Sequence, residues 1–130
     1  MDSSKELIKT VDLLLEIAAL LMVSGANTNR VNLSIDRFAS ALNLNTSCFI
    51  SHKSIIMTVY GDDSTVSCTR VKNIPPYAIN FSVISAVSKA SWQAVKEQWS
   101  FNRISAEIET IKSQNRYPNL VVRIAVSMAI

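Results

Sequence analysis

Near the start of the chain, apolar residues recur at Leu7, Val11, Leu14, Leu15, Ala18, Leu21 and Met22, with Ile8, Ile17 and Leu20 widening the stripe. Steps of three and four residues put them on one broad side of an α-helix. Ser3 and Glu6 have capping-box spacing at its start, and Gly25 in Ser24-Gly25-Ala26 is the natural left-handed stop. Asn27 or Thr28 then caps a second helix that aligns Val31, Ile35, Phe38 and Leu42. After Asn43-Leu44-Asn45 the period changes from helical to alternating. Thr46–Ser51 reads as a short strand with Cys48 and Ile50 on one face. Ser54–Tyr60 sets Ile55, Met57 and Val59 against Ile56, Thr58 and Tyr60. Gly61-Asp62-Asp63-Ser64 is a turn, and Thr65–Val71 alternates again, so these two strands form an antiparallel hairpin.

Lys72 to Tyr77 holds two prolines and reads as a loop. Asn80 caps a third helix carrying Phe81, Ile84, Val87, Ser88, Ser91 and Val95. A fourth helix, from about Ser100, aligns Phe101, Ile104, Ile108 and Ile111, with Glu109 and Lys112 one turn apart on its outer side. The predicted order is α-α-β-β-β-α-α. Strands grouped between helices mean an α+β layer fold with a small, mainly antiparallel sheet rather than a parallel βαβ sheet.

The ends of the chain differ. Leu13–Val23 carries Glu16 and is too short to span a bilayer, which needs roughly 20 apolar residues. After Tyr117-Pro118 the chain is apolar nearly all round from Asn119 to Ile130 apart from Arg123, and no capping signal closes it. We expect residues 1–116 to be a cytosolic N-terminal domain and 117–130 the truncated start of a first transmembrane helix. No signal peptide opens the chain.

Composition narrows the function classes. Of 130 residues 48% are hydrophobic and 18% charged, and the mean hydropathy is +0.22, which excludes a disordered chain and hints at a membrane neighbour. Two cysteines, Cys48 and Cys68, without CxxC spacing, read as reduced thiols, not a disulfide framework. The net charge of +3 is spread out, with no two Lys or Arg adjacent, so a nucleic-acid partner is not expected.

Few residues suggest chemistry. His52 is the only histidine and has no ligand cluster around it, so neither a metal nor another cofactor is expected. Asp62 and Asp63 suit turn chemistry. Ser24 stands where a nucleophile could stand, and with Thr69 it is the basis of a hydrolase-like alternative that needs a base within reach of the hydroxyl. Arg30 starts a helix, where the dipole disfavours a cation, and Arg70 shares a strand face with Val66 and Cys68. Asp36 or Glu16 is the expected partner of Arg70, with an anion contact as the alternative.

Three segments carry a resemblance. Ser24-Gly25-Ala26-Asn27-Thr28-Asn29-Arg30-Val31 resembles the SGAET-x-RV signature of the threonine/serine exporter family, also called DUF1212. Thr69-Arg70-Val71 followed by Ile79-Asn80 is similar to its TRV…IN stretch, and Arg116-Tyr117-Pro118 to its approach to the first membrane helix. This chain has Asn27 and Asn32 where that family often has Glu. The resemblance implies the cytosolic N-terminal domain of a bacterial inner-membrane exporter of threonine, serine or a related dicarboxylate such as succinate. It also implies partners: its own membrane helices beyond Ile130 or a second small membrane subunit, and a small carboxylate or amino-acid solute. A gating, assembly or solute-contact role is expected, with no catalytic residue. Solute contacts are expected from Arg30, Lys53 and Arg70 as cations and from Ser24, Asn27 and Thr28 at the helix junction. Self-association through the Leu13–Met22 face is a further reading.

Overall fold

A computed structural model describes residues 3–51, 53–61, 67–75 and 78–114, and of Ser3 and Ser4 the backbone alone. It contains α1 (Ser3–Ser24), α2 (Thr28–Ala41), β1 (Asn45–Ile50), β2 (Ser54–Tyr60), β3 (Ser67–Asn73) and α3 (Phe81–Glu97). A further helix, α4, occupies residues 101–114. The α-α-β-β-β-α-α order is therefore observed. The expected Ser3–Glu6 capping contact, His52, the Asp62-Asp63 turn and the apolar run from 117 lie outside what is described.

The strands form one antiparallel sheet in the order β1-β2-β3. Ile55, Met57 and Val59 of the central strand are fully buried, and α1 packs over the face they share. The opposite face is open, where register aligns Phe49, Ile56 and Val71 across all three strands. β3 runs further than its alternation predicts. Lys72 and Asn73, expected in the loop, pair with Ile55 and Ser54, because the ladder continues until Ile74 N donates to Lys53 O at 2.8 Å.

α1 is the spine, contacting α2, α3, β2 and β3. Leu13, Leu14, Leu15, Ile17, Ala18, Ala19, Leu21 and Met22 are all buried within the chain. This corrects the reading of Leu13–Met22 as a dimer seam: its apolar surface is already spent on the core, and a second copy would need another surface.

Three helices end on a left-handed residue. Gly25 has φ +106°, with Gly25 N donating to Met22 O at 3.1 Å and Ala26 N to Leu21 O at 2.9 Å. This is a Schellman closure, which satisfies carbonyls that the helix leaves free. Asn43 and Gln98 fill the same role after α2 and α3, at φ 61° and 55°. A Cβ on Gly25 would meet Ile79 at only ordinary contact distance, so backbone conformation rather than space requires glycine there.

Candidate functional site

The Schellman turn sets the geometry of the site. It reverses the chain so that Asn27, with extended backbone, caps α2, its Oδ1 accepting from Arg30 N at 2.8 Å. Asn27, not Thr28, is thus the cap; Thr28 is the first helical residue and is exposed. The segment entering α3 is tied to the same place. Ala78 N donates to Val23 O and Asn80 N to Ser24 O, both at 2.9 Å, and Asn80 then caps α3 through Val83 N. Thus α2 and α3 start side by side. They remain so, since Arg37, ten residues beyond Asn27, donates to the hydroxyl of Ser91, eleven beyond Asn80. Two helices aligned this way put their positive dipole ends together.

Between them lies a groove of about 310 Å³ lined by Asn27, Asn29, Arg30, Leu33, Arg37, Ser88 and Trp92. Arg37 lies over the Trp92 ring with its guanidinium carbon 4.0 Å from the centroid, a cation–π contact. Its Nη1 reaches Ser91 Oγ at 3.4 Å, and Ser91 in turn donates to Ser88 O at 2.6 Å. No carboxylate lines this groove, and among the described residues neither Arg30 nor Arg37 is in an ion pair. Cations left without a carboxylate in a polar, partly walled space bind anionic groups by charge-assisted hydrogen bonds.

The six residues singled out from sequence divide among three places. Ser24, Asn27, Thr28 and Arg30 meet at the α1–α2 junction. Ser24 is buried at 2% exposure, with its carbonyl used by Asn80. Lys53 is exposed in the β1–β2 turn, its backbone N–H directed to Ser51 Oγ. Arg70 lies on β3 with its Nε 3.3 Å from Asp12 Oδ1 of α1. The expected partners Asp36 and Glu16 are engaged elsewhere: Asp36 accepts from Thr46 at 3.0 Å, and Glu16 accepts from Lys112 of α4. Both Arg70 and Asp12 are 48% exposed, so Arg70 is also more solvated than an apolar strand face implies. Asp12 and Ser24 are twelve positions apart on α1, about 18 Å along the helix, so Arg70 is not brought to the junction.

Arg37, Ser88 and Trp92 are the groove residues that sequence reading did not single out. Arg37 stands two turns from Arg30 on α2, a spacing that puts both on one face. Nothing local points to Trp92, which reaches Arg37 only through helix packing. Elsewhere, the Thr69 hydroxyl is bonded to Thr58 Oγ1 at 2.7 Å, and among the described residues no carboxylate, amine or imidazole is hydrogen-bonded to Ser24. The Cys48 thiol is pushed up to about 11 by burial and, secondarily, by the Asp36 charge, which leaves it protonated and inert at neutral pH. Among the described residues no helix is long and apolar enough to cross a membrane.

No curated protein and no solved structure matches the chain. A family model does, across residues 12–129. That span includes the Gly25 turn, the Asn27 cap and both arginines of the groove, and it makes the chain a member of the ThrE family, described as "putative threonine/serine exporter".

Proposed function

We propose that this chain is the cytosolic N-terminal domain of a bacterial inner-membrane exporter and that it contacts the exported small carboxylate in the groove between α2 and α3. Membrane-spanning segments, on the same polypeptide or a second small subunit, would carry the transport path, and the groove would couple solute occupancy to their gating. The observation that carries this reading is the pair Arg30 and Arg37 facing a common space with no carboxylate beside them. Asn27 and Ser88 add polar atoms to the same walls.

The charge pattern favours a dicarboxylate over an amino acid. The ammonium of threonine or serine is held most strongly by a carboxylate, and the groove offers only neutral oxygens. The one aromatic ring of the groove, Trp92, already holds the Arg37 cation against one face. A dianion such as succinate meets cations from more than one direction and leaves no like charge unopposed.

Titration calorimetry with succinate, threonine and serine tests the reading. Succinate is expected to bind at millimolar concentration or better, with the amino acids weaker. If none of the three binds at millimolar concentration, solute contact is wrong, and a scaffolding role in assembly replaces it.

A further inference from the structure

Beside the groove, the outward face of α3 carries a pattern of which the groove shares only Trp92. Phe81, Ser85, Lys89, Trp92 and Lys96 follow one another at steps of three and four residues, along one side of the helix. Phe81 is 72% exposed and Trp92 60%, although large aromatics ordinarily go to the core. Two shallow hollows run along this face, one from Phe81 to Lys89 and the other from Ser85 to Lys96 with Arg30 at its border. They share Ser85 and Lys89, so the strip is continuous. No carboxylate lines either hollow. The acids of the two helices are turned to other partners, Asp36 to the Thr46 hydroxyl and Glu97 to the Trp99 indole N–H.

This chemistry suits a surface rather than a small ligand. Exposed rings set between lysines on one helix side, with no enclosing wall, match the level of lipid headgroups. There, aromatic side chains sit at the water boundary and lysine stems lie along apolar groups with their charges on phosphates. A negatively charged leaflet attracts basic side chains close to it. We propose that the outward face of α3, from Phe81 to Lys96, rests on the anionic surface of a lipid bilayer. Membership of an exporter family puts a bilayer within reach. The inference does not depend on the groove binding solute.

Co-sedimentation of the 130-residue chain with lipid vesicles tests it. Phosphatidylcholine alone is compared with phosphatidylcholine containing about 30% phosphatidylglycerol, an anionic surface of the relevant kind. Anionic lipid should raise binding. The double change Lys89→Glu and Lys96→Glu should lower partitioning onto anionic vesicles by about tenfold or more, while leaving binding to neutral vesicles unchanged. Comparison of the two proteins on neutral vesicles subtracts any contribution from the apolar residues after Pro118. A thermal melt checks that the variant is folded, and Lys89→Gln with Lys96→Gln should give an intermediate loss. Trp99 is buried, so a blue shift of tryptophan emission on anionic vesicles should vanish in Trp92→Phe. The proposal is overturned if the charge-reversed protein binds anionic vesicles as the parent does, or if the emission does not move. It is equally overturned if polyglutamate binds the strip while anionic vesicles do not, which would make an acidic protein the partner.

Discussion

Two sides of this molecule use the same residue types in opposite ways. On the side built by α1, β3 and α4, three cations meet carboxylates. Arg70 meets Asp12, Lys112 meets Glu16 and Glu109, and Arg103 meets Glu107. On the side built by α2 and α3, Arg30, Arg37, Lys89 and Lys96 line adjoining hollows that contain no carboxylate. Paired charges at a surface add modestly to stability and offer little to a ligand. Those without a carboxylate are available for binding, although Arg37 also ties α2 to α3 through Ser91 and Trp92. The contrast separates the part of the charge pattern that holds the fold from the part open to a visitor.

The most demanding test exchanges the two sides. Arg30→Ala with Arg37→Ala should reduce succinate affinity by at least about tenfold, since charge-assisted hydrogen bonds are each worth roughly 1.5–3 kcal/mol. The melting temperature should fall slightly, because Arg37 loses its contacts with Ser91 and Trp92. Arg70→Ala should lower stability slightly and leave the calorimetric isotherm as it was. Identical isotherms for the Arg30/Arg37 variant and the parent would erase the distinction.

Next in size is the turn from which the groove starts. Gly25→Ala forces a side chain into left-handed backbone and should cost about 1–2 kcal/mol in denaturant unfolding. A loss below a few tenths would mean that the turn relaxes, and succinate binding should then shift with it.

The paired side has a pH signature. The Lys112 pKa is raised from its ordinary 10.5, chiefly by the hydrogen bond to Glu16, with partial burial acting to lower it. Folding therefore holds the proton on. The contribution is complete below about pH 10.5 and fades as pH rises through the higher native value. Lys112→Met should lose about 0.5–1 kcal/mol at neutral pH, the scale of a partly exposed pair, and should flatten this alkaline decline. If parent and variant decline alike above pH 10.5, the link between α1 and α4 is not what titrates there.

The smallest effect concerns Ser34 on α2, fully buried, whose hydroxyl has no hydrogen-bond partner among the described residues. Ser34→Ala removes an unsatisfied group and should be neutral or stabilising by up to about 1 kcal/mol. A clear destabilisation would reveal an unrecognised partner.

The fold was largely legible because its signals are local. The helical period over Leu7–Met22, the alternation of Ile55, Met57 and Val59, and the caps Asn27 and Asn80 each need only a few neighbouring residues to be read. The Gly25 stop was visible for the same reason, since few residues tolerate its backbone. Cross-element pairing was not legible. Asp12 meets Arg70 only because α1 lies over the sheet, and no spacing along the chain distinguishes it from Asp36 or Glu16. The same holds for the groove: Arg30 stood out by its odd place at a helix start, whereas Arg37 and Trp92 are brought together by helix packing. Lys72 and Asn73 read as loop from the prolines that follow them, while the strand ladder persists two residues longer.

The backbone bonds from Ala78 and Asn80 to the end of α1 have a mechanical consequence. They knot two helix origins onto one point of the spine, like two spokes set in a single hub. A twist delivered to the last turn of α1 would swing both spokes together, so the walls between them would be carried along as a unit instead of being prised apart at that end.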